Sequence, residues 1–159
     1  MEDPAGLPVF AESMTWEDAQ AALAERALDD GLPQVPPTRR RLEAMLAGIA
    51  EPARSHGLVP PLFGDLTLQA VAYNCGLAGG RPAELPVVLT AVEACLAPCF
   101  NLLGVLTTTG APAVATIVHG PLARSLAMNA GTSSTPRPCP TSGPSNDSLS
   151  TIFSRSELS

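Results

Sequence analysis

Lysine is absent from this 159-residue chain, and all nine basic residues are arginine. A Schiff-base enzyme, an enzyme that anchors pyridoxal phosphate, and a GxxxxGK[ST] phosphate loop each require a lysine, so all three are excluded. Aromatic residues are scarce, at 4%, and charged residues make up 15%. No basic stripe interleaved with aromatics exists, which argues against nucleic acid as a partner. GxSxG, HExxH and GxGxxG are also missing, and no Ser-His-Asp spacing is recognisable. Zero lysine beside abundant alanine, arginine, glycine and proline suggests a GC-rich coding sequence.

What is present is apolar and unevenly charged. Hydrophobic residues reach 45% and the net charge is −6. That combination is too apolar for a wholly disordered chain. Residues 1–57 hold ten acidic and five basic residues, whereas residues 58–130 hold only three acidic and two basic. The middle section is therefore the natural core. The Arg39-Arg40-Arg41 cluster sits at a helix start and reads as a solvated face.

The acidic start, Met1-Glu2-Asp3-Pro4, lacks the basic and apolar regions of a secretory signal. The most apolar stretch, from about residue 86 to 106, is interrupted by Glu93, Pro98 and Asn101. A membrane span is disfavoured, and a cytoplasmic location is expected. Four cysteines are present: Cys75, Cys95, Cys99 and Cys139. Their spacing gives no strong metal or redox signature, so reduced thiols and no metal are expected.

Local signals divide the chain. Residues 1–14 read as a loose arm. Thr15 caps a first helix that Asp30-Gly31 stops, with Asp18 in capping-box position. Three prolines within residues 33–37 enforce an extended segment. Thr38 caps a second helix running to about Ile49, and residues 51–64 read as a loop that includes His56. Thr67 caps a third helix carrying Leu68, Val71, Ala72 and Cys75, ended by Gly79-Gly80. Residues 84–96 form a fourth helix, apolar nearly all round and therefore buried. Residues 105–106 and 114–118 read as strands, and residues 122–128 as a short helix. The expected fold class is α/β or α+β, in a single domain over residues 15–131. Residues 132–159 hold nine serines, four threonines and four prolines, a composition expected to be disordered.

Several stretches resemble a bacterial family of largely uncharacterised proteins, associated with a group named for a UGSC (selenocysteine or cysteine) motif. They are Asp30-Gly-Leu-Pro-Gln-Val-Pro-Pro-Thr38, Leu66-Thr-Leu-Gln-Ala-Val-Ala-Tyr-Asn74, Arg81-Pro-Ala-Glu-Leu-Pro-Val-Val-Leu89, Phe100-Asn-Leu-Leu-Gly104, Thr107-Thr-Thr-Gly-Ala-Pro112 and Val118-His-Gly-Pro121. The resemblance covers about residues 15–131. It implies an intracellular α/β domain that is enzyme-like and binds a small molecule. Family members continue past a stretch like Met128-Asn-Ala-Gly131 with a glycine-rich turn and a helix start, where this chain turns to Ser, Thr and Pro. A genuine short protein with a flexible tail and a reading-frame slip near codons 131–140 both explain that change. The abruptness favours the slip, and with it a truncated, inactive family member.

Polar residues inside the apolar middle are the candidates for chemistry. His119 precedes Gly120-Pro121 after an expected strand, where a general acid or base could sit. Asn74, Asn101, Thr108, Thr109, Asn129 and Gly131 are the candidate ligand-binding positions. Thr107-Thr108-Thr109-Gly110 could offer hydroxyls and N–H groups to an anion. No cofactor is indicated. The alternative class is a noncatalytic interaction protein binding through the apolar helix of residues 84–96, with a homo-oligomer also open.

Overall fold

A computed structural model of the chain describes residues 6–28, 31–110 and 112–128. Six helices run in the order α1 (Trp16–Glu25), α2 (Arg39–Met45), α3 (Leu68–Leu77), α4 (Leu85–Cys95), α5 (Leu102–Leu106) and α6 (Gly120–Ser125). Between α2 and α3 lies an antiparallel hairpin, β1 (Ser55–Val59) and β2 (Gly64–Thr67). A sheet of two antiparallel strands with helices packed beside it makes the fold α+β.

Helix α3 is the centre of the molecule. Thr67 caps it, accepting a hydrogen bond from the Ala70 N–H at 3.1 Å. Two faces of α3 feed two hydrophobic clusters. Val71, Ala72 and Cys75 pack with Met45, Leu66, Leu85, Val88, Val92, Cys95 and Leu102. Tyr73 and Leu77 pack with Phe10 and Leu23 on the other side. A helix buried on both sides loses the clean apolar stripe of a surface helix.

Helix α1 begins as its sequence indicates. Thr15 Oγ1 accepts from the Asp18 N–H at 3.2 Å and donates to Asp18 Oδ2 at 2.7 Å. Ala19 and Leu23, one turn apart, are its buried side. The extended proline segment follows. Val35 donates its N–H to the Leu77 carbonyl at 2.8 Å, and Gln20 brackets Gln34 with two hydrogen bonds of 2.8 and 3.1 Å.

Five sequence expectations are corrected. The loop expected over residues 51–64 contains β1 and the turn into β2. Pro60 and Pro61, joined by a cis bond, occupy the turn and leave the strands free of proline. Residues 105–106 end α5 instead of forming a strand, because two β-branched or aliphatic residues are too few to set a period. Residues 114–118 form no strand and pair with none among the described residues. Finally, the expected loose arm is seated over residues 8–10. Pro8, Val9 and Phe10 are buried, Phe10 donates its N–H to the Pro37 carbonyl at 2.9 Å, and the buried Tyr73 hydroxyl donates to the Pro8 carbonyl at 2.9 Å. Helix α2 also stops at Met45, short of Ile49, with Leu46 as its C-cap. The expected tail from residue 132 lies outside the described residues.

Candidate functional site

Glu84 is a buried charged residue, 5% exposed, at the end of the short 3-10 turn Pro82–Glu84. One carboxylate oxygen, Oε2, accepts the Arg81 N–H at 2.7 Å. The other, Oε1, accepts the Arg81 Nε–H at 2.7 Å. The same guanidinium donates to the Leu126 carbonyl at 2.6 Å. Arg81 thus ties the end of α6 to the start of α4. Both oxygens of Glu84 are engaged by protein donors, which suits a structural clamp.

Cys75 lies beside this clamp. Its thiol is pushed up to about 12, first by burial and second by the negative charge of Glu84. Gly80 closes over it: the Gly80 N–H donates to the Cys75 carbonyl at 2.8 Å, and a β-carbon at this position would run into the Cys75 sulfur. The Cys95 thiol is also raised by burial. Both thiols are therefore held protonated, the inert form for nucleophilic work. Cys99 is exposed and stands beyond the end of α4, so the Cys95/Cys99 pair does not share one helix. No group of three or more metal-ligating side chains occurs among the described residues.

The residues singled out by sequence occupy separate settings. Asn74 spends its side-chain N–H on the Ala70 carbonyl of its own helix, at 2.9 Å. Asn101 is exposed, in the left-handed conformation (φ 53°) that lets a 3-10 turn enter α5. Thr108 and Thr109 are exposed, and the Thr108 hydroxyl faces the Gly110 N–H at 3.4 Å. His119 is exposed at the N-cap of α6 and makes no side-chain capping bond. Among the described residues, no hydrogen bond or ion pair links any two of these. Asn129 and Gly131 lie outside the described residues. Of the apolar helix, Leu85, Val88, Val92 and Cys95 are in the core, which leaves Pro86, Thr90, Glu93 and Ala94 on its outer side.

Two features had no counterpart in the sequence reading. His56, expected in an exposed loop, lies on β1 with a largely covered ring. Its Nδ1 stands 2.6 Å from Glu93 Oε1, which joins the hairpin to α4. Gly57 beside it has φ 136°, and a β-carbon there would sit 2.9 Å from Leu96. The second feature is the turn of the hairpin. Leu62 and Phe63 in the turn are 54% and 56% exposed, and Leu58, on β1 just before it, is 54% exposed. Two adjacent large apolar residues, Leu62-Phe63, inside a Pro- and Gly-rich turn were the available signal, since turns normally carry polar residues.

No single helix of the described residues is long and apolar enough to cross a membrane. No family model, curated protein or solved structure matches the chain.

Proposed function

We propose that the protein is a noncatalytic interaction module that binds a protein partner through the apolar turn of its hairpin. One observation carries this reading. Leu62 and Phe63, adjacent in the turn, and Leu58, on β1 just before it, each expose large apolar surface on a hairpin held by strand pairing and by the His56–Glu93 contact. Grouped apolar exposure of this kind marks interaction surfaces, whereas scattered single residues do not. Aromatic residues at the centre of such a patch carry most of the binding energy. Phe63 is the expected anchor, with Leu58 and Leu62 around it. The partner's surface is expected to be apolar at its centre with basic residues at its rim, because the chain carries net charge −6.

The small-molecule domain implied by the family resemblance is the weaker reading. Its residues stand in separate settings, and Asn74 is engaged within its own helix.

Selection of a random peptide library on the immobilised full chain tests the proposal. Selected peptides should be apolar with flanking basic residues. They should lose about tenfold or more in affinity on Phe63→Ser. They should be indifferent to Trp16→Ser, a change at an equally exposed residue outside the hairpin. Peptides that bind wild type and Phe63→Ser equally would overturn it.

A further inference from the structure

The sequence marks residues 114–118 as a strand, and the structure gives them a strand's alternation of burial with no partner among the described residues. Residues 112–119 belong to no helix, turn or strand, and His119 at their end has extended backbone (φ −136°, ψ 175°). Burial alternates strictly: residues 113, 115 and 117 are exposed, and residues 114, 116 and 118 are half-buried. That period of two is what a strand lying on a core shows. Val114 packs against the main cluster, while Ile117 is 86% exposed. Among the described residues, no backbone hydrogen bond reaches residues 113–118. The edge is also undefended. The run from residue 94 to 123 contains no Asp, Glu, Lys or Arg, and proline is absent between Pro112 and Pro121. Proteins that keep an edge strand monomeric usually place charge or proline on it.

We propose that this segment is a self-association edge, and that its missing partner strand is the same segment of a second copy. Three observations select a second copy as occupant. The run is free of the charges that would repel an identical strand. Its two ends are closed by prolines, which cannot donate, so the paired length is bounded by the sequence itself. And it is self-complementary in antiparallel register. Centring the two-fold on Thr116 places Thr116 opposite its own mate, Val114 opposite Val118, and Ala115 opposite Ile117. Residues directly opposite in an antiparallel pair share a face, so the half-buried residues meet each other and the exposed residues meet each other. Thr–Thr and Val–Val are favourable cross-strand pairs. The arrangement pairs one edge of each copy, and the same patch is used on both, as in a two-fold interface. The edge is distinct from the hairpin turn, so it stands or falls independently of the binding role proposed above.

Sedimentation equilibrium of the full chain, from about 5 to about 500 µM, reads the association. The expected result is a concentration-dependent rise from 16.3 kDa towards twice that mass. Ile117→Lys places a charge opposite Ala115 of the mate and brings the two new cations close together, and should hold the chain monomeric over the whole range. Ile117→Val should dimerise as wild type does. Because Ile117 is almost fully exposed, the lysine variant should keep the wild-type circular dichroism. Amide hydrogen exchange on the unmodified chain gives a second readout. The amides of residues 113–118 should gain protection between the lowest and highest concentrations. A mass of 16.3 kDa throughout, with those amides unprotected, overturns the proposal. So does association that Ile117→Lys leaves unchanged.

Discussion

Cys75 sits where two effects add: burial and a carboxylate neighbour both disfavour its thiolate. Burial alone raises a thiol, and the engaged Glu84 keeps its negative charge close by. The consequence is kinetic as well as thermodynamic, since the thiolate is the reacting species. Native protein treated with a thiol reagent near neutral pH should modify Cys99 promptly among the described thiols. Cys75 should react only after denaturant is added. Mass mapping of the labelled peptides checks this, and prompt native labelling of Cys75 would contradict the packing described. The sign of the alkaline effect follows from the same shift. The folded value, about 12, lies above the ordinary 9.0, so the contribution to stability is complete below pH 9. It is lost as pH rises from 9 towards 12, because the unfolded thiol ionises first. Neither the burial of Cys75 nor its charged neighbour is legible from a spacing of nine residues between Cys75 and Glu84. Only the folding of α3 against the start of α4 brings them together.

Helix starts were legible because their signals are local. Thr15 and Thr67 are caps in the sequence and caps in the structure, each accepting the expected N–H. Thr38 shows the limit. It precedes α2 but makes no side-chain capping bond of its own to the helix. Glu12, far back in the chain, reaches the Arg40 N–H at 3.2 Å instead. The carboxyl of Glu12 is held below its ordinary value first by the Thr38 hydroxyl, then by the Arg40 N–H and the charges of Arg40 and Arg41. A depressed carboxyl contributes stability that is present above its unfolded value of 4.5 and lost as pH falls through the lower folded value. Glu12→Gln should therefore narrow the difference in thermal midpoint between about pH 6 and about pH 3, by a small amount given its exposure. An unchanged difference in the variant would show that Glu12 does not act on α2. Strands were the least legible elements. The hairpin was hidden by the prolines of its own turn and by a register irregularity between Ser55 and Leu58. Residues 105–106 were drawn into a helix by the burial of Leu102. Residues 114–118 form no strand among the described residues but keep a strand's alternation of burial, which is the basis of the proposed self-association edge.

Across the whole molecule, charge and exposure are distributed in a way that the composition already outlined. The acidic N-terminal third packs around a nearly uncharged middle, and α3 serves both clusters of the core. The core was legible as composition. The surface that the core leaves uncovered was not, because exposure of Leu58, Leu62 and Phe63 depends on where the hairpin turn points. The alternative expectation from the sequence, an interaction protein, put the binding surface on residues 84–96. In the fold those apolar residues are consumed by packing against α3, and the exposed apolar group lies at the hairpin. The two proposed surfaces, the hairpin turn and the edge at residues 113–118, have different chemistry. The first offers side chains and the second offers backbone.

The most direct test of the binding role is an amide chemical-shift titration of the full chain with a peptide selected on it. The account expects the perturbed amides to cluster between Ser55 and Thr67, with Leu62 and Phe63 moving most, and Phe63→Ser to abolish the pattern. Perturbations centred on Asn101, Thr108 and His119 would contradict it and return the function to the residues of the family resemblance.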